Sequence, residues 1–377
     1  MQPIKFCPDA FSMRQDFLFI SEGEKTLLDT YPFRIAEIIR QPNENVTIHL
    51  TDLSGEYPAY LAGEFLTLEF DFNGRQVRRS YSFSSSPVVD EPLAITVKRV
   101  DNGEISRLLH HRSQVGDKLQ VLPSQGMLAY TPDVIGKSKT LFLFAAGVGV
   151  TPLFSILKTA LVAESDTNIV LVYSNGSAER TLFLEELKAW QAQYPDRLHI
   201  EWIFSNAKNL LTARLNREYI IRLIDAHKKE GSTLSFYLCG PVFYMDLCRF
   251  TLLGMGYPDA DIHRETFHFP EEEEDDDERE EEEVDTTAYN VVLRYQGKSY
   301  ELSVPYNKTV LDAGLAEKIR LPYSCKSGMC STCISQVTNG SVRMSYNEVL
   351  TDREVENGQC LICTAHPLED GTVIEVR

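Results

Sequence analysis

Thr140-Leu141-Phe142-Leu143-Phe144-Ala145-Ala146-Gly147-Val148-Gly149-Val150-Thr151-Pro152 passes from uninterrupted apolar residues into a glycine-punctuated turn. A continuous apolar run of this length, closed by glycine, is the pattern of a strand buried on both faces. It is too short for a bilayer span, and its glycines and proline suit a buried strand that turns into a helix. Pro152 fits the first helical turn, where a missing N–H costs little, and a helix is expected over 153–163. Strand, glycine turn and helix start together make an anion site: glycine lets a phosphate approach the backbone, and the first helical N–H groups point at it. A lone Gly-x-Gly is often only a turn, so the residues after it decide the reading.

Downstream, strand-like and helix-like stretches alternate: strand 169–173, helix 181–192, strand 198–204, helix 217–227, strand 235–238 and helix 243–253. This alternation predicts an α/β doubly wound parallel sheet, whose ligands sit outside the carboxyl ends of the strands. Cys239-Gly240-Pro241 lies at such an end, where the cysteine is either a small buried residue or a neighbour of a bound ring. The domain closes at Ile262-His263-Arg264-Glu265-Thr266-Phe267.

Upstream, short alternating strands at 33–39, 46–50, 65–70, 76–82 and 93–100 are separated by turns, the pattern of a β-barrel. Asn73-Gly74 between two of them is a hairpin signal, because both central positions of that turn need positive φ. Residues 1–30 show no periodicity and are expected to be an extension packed on the chain after it. Two spots in the barrel stand out: Arg79-Ser80-Tyr81-Ser82 at a strand end, and Gly103-Glu104-Ile105-Ser106, where a strand gives way to a helix over 105–111. An exposed strand end could carry the first of these and nothing more. A flavin, however, needs a flat aromatic against its ring, a hydroxyl near its N5, and cationic or helix-N-terminal groups for its pyrophosphate, and these segments hold all three.

Beyond the parallel sheet, residues 271–283 contain twelve acids and one arginine, a local charge of −11 that leaves −7 of the chain's −18 for everything else. A block of like charge repels itself and buries no apolar surface, so it reads as a solvated linker or as a docking arm for a basic partner. After it come strands at 291–295 and 298–304, a helix over 310–319 and a last strand at 372–376. Between these lies Cys325-Lys326-Ser327-Gly328-Met329-Cys330-Ser331-Thr332-Cys333, and a fourth cysteine, Cys363, comes after a gap of twenty-nine residues. Three thiolates on one short loop and one from a distant strand supply the four protein bonds of a [2Fe-2S] cluster. Zinc usually shows two C-x2-C pairs or histidine partners, and a disulfide framework needs paired spacing; neither pattern is present. The loop's small residues let backbone N–H groups turn toward cluster sulfurs. Cys7, Cys248 and Cys360 have no spaced partner and are assigned packing roles.

At 377 residues the chain holds two or three domains. Its first twenty residues contain Lys5, Asp9, Arg14 and Asp16 and no apolar core of signal-peptide length, so secretion is not expected. No membrane segment is evident, and eight cysteines, four committed to a cluster, fit a reducing, cytoplasmic setting. Nucleic acid is disfavoured as a partner, since an acidic chain gains nothing from counterion release.

Taken in order, Arg-x-Tyr-Ser, Gly-x-x-Ser, Gly-x-Gly-x-Thr-Pro, Cys-Gly-Pro and Glu-x-Phe resemble the ferredoxin:NADP reductase superfamily, and the tail resembles a plant-type ferredoxin. The fused order is similar to the reductase subunits of multicomponent oxygenases, the phenylacetyl-CoA epoxidase type above all. The resemblance covers about 33–377 and implies an N-terminal extension (1–30), an FAD-binding β-barrel (31–135), an NAD(P)-binding α/β domain (136–268), an acidic linker (269–288) and an α+β β-grasp ferredoxin domain (289–377). It implies that Arg79 holds the FAD pyrophosphate, that Tyr81 lies against the isoalloxazine and that Ser82 hydrogen-bonds N5, with Ser80 among the cofactor-binding residues and Gly103 and Ser106 completing the pyrophosphate site. Gly147, Gly149 and Thr151 would receive the phosphates of NADPH or NADH, Cys239 and Gly240 would border the nicotinamide, and Glu265 and Phe267 would close the other flavin face. Ser82, Cys239 and Glu265 are then the catalytic set, and Cys325, Cys330, Cys333 and Cys363 the metal ligands.

Two departures stand out. Gly63-Glu64-Phe65 replaces the usual Gly-Gln-aromatic turn and brings a carboxylate near the flavin site. Asn175 is followed by Gly176, where relatives that prefer NADPH often carry a basic residue, and Arg180 comes late. The reading is an NAD(P)H-dependent reductase that passes electrons through FAD and a [2Fe-2S] cluster to a protein acceptor such as an oxygenase component. The alternatives are a nitrogen-oxide or stress-response acceptor, or a redox-sensing module without turnover.

Overall fold

In the computed structural model the described residues are 30–72, 75–100, 103–133, 138–208, 213–267 and 287–376. They fall into two compact units, divided between Phe267 and His268. The expected N-terminal extension and the acidic tract lie outside the described residues, as do Cys7 and the Asn73-Gly74 turn.

The first unit begins with six strands and one helix: β1 (Tyr31–Gln41), β2 (Asn45–Asp52), β3 (Phe65–Phe72), β4 (Arg75–Ser82), β5 (Leu93–Lys98), α1 (Glu104–His111) and β6 (Lys118–Gln125). The strands are ordered β4-β3-β6-β1-β2-β5 with antiparallel neighbours. A bridge from Phe83 to Ile95 joins the two edges and closes the barrel. Alternation explains the pairing: Tyr31, Phe33 and Ile35 are buried at every second position, until a bulge between Ile35 and Glu37 breaks the phase of β1. The barrel core is Phe33, Ile48, Leu66, Leu68, Phe83 and Ile95, and Ile105 and Leu109 of α1 join it.

The rest of the unit is β7 (Lys139–Ala146), α2 (Val150–Ala163), β8 (Thr167–Asn175), α3 (Leu184–Gln193), β9 (Leu198–Phe204), α4 (Arg217–His227), β10 (Thr233–Cys239), α5 (Val242–Gly254) and β11 (Ile262–Glu265). The sheet is parallel in order β11-β10-β7-β8-β9. The chain therefore reverses direction across the sheet between β7 and β10. Leu141, Leu143 and Ala145 of β7 face α2 and α3, while Phe142 and Phe144 face α4 and α5. That double burial accounts for the unbroken apolar run.

Helix α2 is buried from Val150 to Leu161 on every side. One side packs on the sheet and the other on the barrel, where Ser155 Oγ donates to Ser85 O at 2.6 Å and the hydroxyls of Ser86 and Thr159 pair at 2.7 Å. Ala62, Val88, Val89, Leu128 and Tyr130 from the barrel side share one core with it. Helix α3 starts at Leu184, later than expected, because residues 178–180 form a 3₁₀ turn and Phe183 has φ of 59°.

The second unit comprises β12 (Ala288–Tyr295), β13 (Lys298–Pro305), α6 (Val310–Ala316), β14 (Ile334–Asn339), β15 (Val342–Met344), α7 (Asp352–Glu356), β16 (Gln359–Leu361), β17 (Ala365–Pro367) and β18 (Thr372–Val376). Its main sheet is ordered β13-β12-β18-β14-β16, with β12 and β18 parallel and the other pairs antiparallel. A helix laid against such a mixed sheet is the β-grasp arrangement expected. Helix α6 ends earlier than the predicted 319, because Lys318 turns left-handed at φ of 60°. Among the described residues, no helix is long and apolar enough to cross a membrane.

Candidate functional site

The carboxyl ends of β7, β10 and β11 bring three segments of sequence to one edge, for the register sets Cys239 beside both Ala145 and Glu265. Gly147 has φ of 56° and open space where a side chain would begin, so a ligand can reach its backbone. Tyr173 holds this turn by donating its hydroxyl to Gly147 O at 3.0 Å. At Gly149 a Cβ would run into the carbonyl of Cys239, and at Gly240 it would lie 2.9 Å from Ala146 Cβ. The two glycines thus allow the turn after β7 to press against the loop after β10. Buried Thr151 fixes the same turn from below, its hydroxyl donating to Val148 O at 3.0 Å. Cys239 is fully buried, and burial first, then the charge of Glu265, pushes its thiol well above the usual range.

From the barrel, Ser82 arrives at this edge as the last residue of β4. Glu265 is pushed up to about 8 by burial, and the Ser82 hydroxyl is near enough to oppose that rise. Neither Ser82 Oγ nor Glu265 Oε2 completes a hydrogen bond, although both atoms are closed to solvent. Two unsatisfied buried polar atoms facing one place need a third group to serve, and a flavin ring edge has the donors and acceptors for it.

The remaining barrel residues divide. Arg79 is exposed, its Nη1 donating to Arg78 O at 2.7 Å, while Tyr81 is half-buried and its hydroxyl is raised by burial against the opposing charge of Arg79. Ser80 points to the other face of the strand, pairing with Thr67 Oγ1 at 2.9 Å. Ser106 is taken up by the turn before α1: it accepts from Val100 N at 3.1 Å and donates to Gly103 O at 3.3 Å. A side chain at Gly103 would collide with that hydroxyl, and Gly103 N donates to Val100 O at 3.0 Å, so Gly103 and Ser106 form one braced turn. Phe267, 36% exposed, lies two residues past the end of β11.

Glu64 is buried, and its Oε2 accepts from Leu61 N at 2.8 Å and from the Ser124 hydroxyl at 2.7 Å. Two participants had no sequence signal: Tyr173, which reads as a core strand residue, and Tyr60, which stacks on Phe83 with ring centroids 3.9 Å apart.

In the second unit the four predicted thiols converge. Cys325 is held well below the usual thiol range, first by hydrogen bonds from the thiols of Cys330 and Cys363 and then by the N–H groups of Ser327 and Met329. Cys363 is pushed up by its bonds to Cys325 and Cys333. Lys326 and Gly328 have φ of 56° and 72°, the left-handed turns that aim those N–H groups at sulfur. Ser327 Oγ is buried without a partner beside them. Four thiols that share protons this closely become thiolates together only around positive charge. Among the described residues, no three or more His, Cys, Asp or Glu side chains ring a single ion; the thiols meet pairwise instead. The donor set fits a cluster. Buried Cys248 and Cys360 pack as expected.

Three families match in sequence: an oxidoreductase FAD-binding domain over 40–130, an oxidoreductase NAD-binding domain over 143–249 and a 2Fe-2S iron-sulfur cluster binding domain over 293–368. The chain is 30% identical over 353 residues to one subunit of the 1,2-phenylacetyl-CoA epoxidase of Escherichia coli (strain K12), the match covering 90% of this chain and 96% of that protein. It is 34% identical over 322 residues to the ferredoxin reductase component of 3-ketosteroid-9-alpha-monooxygenase from Rhodococcus rhodochrous, covering 84% and 88%. A solved structure of phthalate dioxygenase reductase superposes with a TM-score of 0.58 at 23% identity, covering 92% of this chain and 98% of that one.

Proposed function

The chain belongs to the family of oxygenase reductase components that join FAD-binding and NAD-binding domains to a C-terminal [2Fe-2S] domain, and on that premise we propose that it carries electrons from NAD(P)H to the oxygenase component of a multicomponent system. The barrel (31–135), the parallel-sheet domain (136–268) and the β-grasp domain (289–377) take FAD, NAD(P)H and the cluster in turn. Bound FAD supplies the exchange between a hydride, which carries two electrons, and a centre that accepts one at a time.

The chain's own residues position and tune that exchange. Tyr81 offers its ring to the isoalloxazine, Arg79 and the Gly103–Ser106 turn meet the pyrophosphate, and Ser80 braces the strand between them. Gly147 opens the backbone to the coenzyme diphosphate at the start of α2, while Gly149 lets the turn close on Cys239 and Thr151 braces it from below. Cys239 and Gly240 border the nicotinamide as small, uncharged neighbours, and Phe267 must move aside for it. Glu265, protonated near neutrality, can hold a proton for Ser82 or for a ring nitrogen. Cys325, Cys330, Cys333 and Cys363 hold the irons.

The observation that supports this reading best is the approach of Ser82 on the barrel to Glu265 and Cys239 on the parallel sheet. No nucleic-acid or membrane partner is proposed, and the free thiols support a cytoplasmic setting. Protein purified without oxygen is expected to hold one flavin and about two irons with matching sulfide per chain, and reduced coenzyme is expected to bleach both absorption bands. Cys363→Ser is expected to lose the iron and the one-electron output while flavin bleaching persists; iron-free native protein, or undiminished output from the variant, refutes the proposal.

A further inference from the structure

The turn between β1 and β2 of the barrel reaches the end of β8 through one contact: Arg180 Nε and Nη2 donate to Asn43 Oδ1 at 3.0 and 2.8 Å. Asn43 and Glu44 both have φ of 56°, a conformation that residues with a side chain adopt at a cost. The turn is nevertheless held there. Asn45 Nδ2 donates to Pro42 O at 2.6 Å and to Asn43 O at 3.1 Å, and Arg99 binds Glu44 at 2.8 Å. Positive φ at both central positions is what a tight hairpin turn requires, and the bracing fixes where the Asn43 side chain lies.

Arg180 in turn lies over Gly176, the first residue past β8. A Cβ added to Gly176 would sit 3.8 Å from both Cδ and Nη1 of Arg180. The guanidinium thus fills the space that a side chain at position 176 would enter. Asn43 occupies Nε and Nη2, and among the described residues Nη1 donates to nothing. The two carboxylates next in sequence are engaged elsewhere: Glu44 on Arg99, and Glu179 on the Ser177 hydroxyl.

Strands β7 and β8 are parallel neighbours with Ala146 beside Ser174, so the Gly147 turn and the 175–180 loop share an edge. In a doubly wound sheet, the adenosine ribose lies at the end of the strand beside the glycine turn. A carboxylate there takes the ribose diol, and an arginine takes a 2′-phosphate.

We propose that Arg180, held in place by Asn43, selects the coenzyme that carries a phosphate on its adenosine 2′-oxygen, so that the reductant is NADPH. This rests on the function proposed above in one respect only, that a nicotinamide dinucleotide lies across β7 and β8. Nη1 is the donor left for the phosphate, and the exposed position lets the full charge act without a burial cost.

Equilibrium binding of adenosine 2′,5′-bisphosphate and of 5′-AMP to the full-length holoprotein tests this without turnover. The native protein is expected to prefer the bisphosphate, and Arg180→Gln to lower that preference by about 10- to 100-fold. Asn43→Asp, which gives the guanidinium a competing anion, is expected to lower it too, and Glu179→Gln to keep it. The ratio of kcat/KM for NADPH over NADH should fall in the same order. Equal affinity for the two probes, or a preference that survives Arg180→Gln, overturns the proposal. So does a preference for 5′-AMP that Glu179→Gln abolishes. A protein with the expected preference that reduces no acceptor upholds the inference and removes the proposed function instead.

Discussion

Glu265 shows how far surroundings can move one residue. Burial lifts its carboxyl to about 8, so between pH 5 and 8 the folded chain binds a proton that the unfolded chain has released. Folding stability from this group is therefore lost as pH rises through that window. Denaturant titrations of Glu265→Gln and the native protein are expected to diverge accordingly, with the variant gaining relative stability from about pH 5.5 to 8.5. A constant difference would show that Glu265 titrates normally. Gly149 is the complementary case, since a methyl there collides with the Cys239 carbonyl. Gly149→Ala is expected to cost about 1–3 kcal/mol of stability and to impair flavin reduction by coenzyme while dithionite reduction persists, as stopped-flow absorbance would show. Gly147 and Gly149 were legible from spacing alone because a glycine turn is a local event. The bonding of Glu64 Oε2 by Leu61 and Ser124 was not, because Ser124 comes from a distant strand.

Elements with a strong period were legible to within a few residues. Strand β9 and helix α4 fall where alternation and 3.6-residue spacing put them, as does β18. Strands β15, β16 and β17 have three residues each, too few for any period to register, and they exist only because partners lie alongside. Helix α2 carries the junction of barrel and sheet, and beside it Glu164 accepts from Tyr130, Thr167 and the Asp133 N–H while binding Lys139 at 2.7 Å. All of these donors lose their acceptor together if the carboxylate is removed. Glu164→Ala is expected to destabilise the first unit by about 3–5 kcal/mol, measured as the shift of its denaturation midpoint.

At the scale of the molecule, two units with separate cores are expected to melt separately. Cluster binding is part of the second unit's folding energy, so calorimetry of Cys333→Ser should show its transition at lower temperature with the first unit's transition unmoved. A single merged transition in both proteins would contradict this. Sequence alone determined the three cofactor chemistries and the order of the folds that hold them, because ligand number, glycine turns and hydrophobic period are written in short stretches of chain. Tertiary structure alone decided that Ser82 meets Glu265, that Ser80 and Ser106 serve the framework, and that Asn43 restrains Arg180. Each of those pairings depends on strand register and on the closing of one sheet against another, which no local pattern encodes.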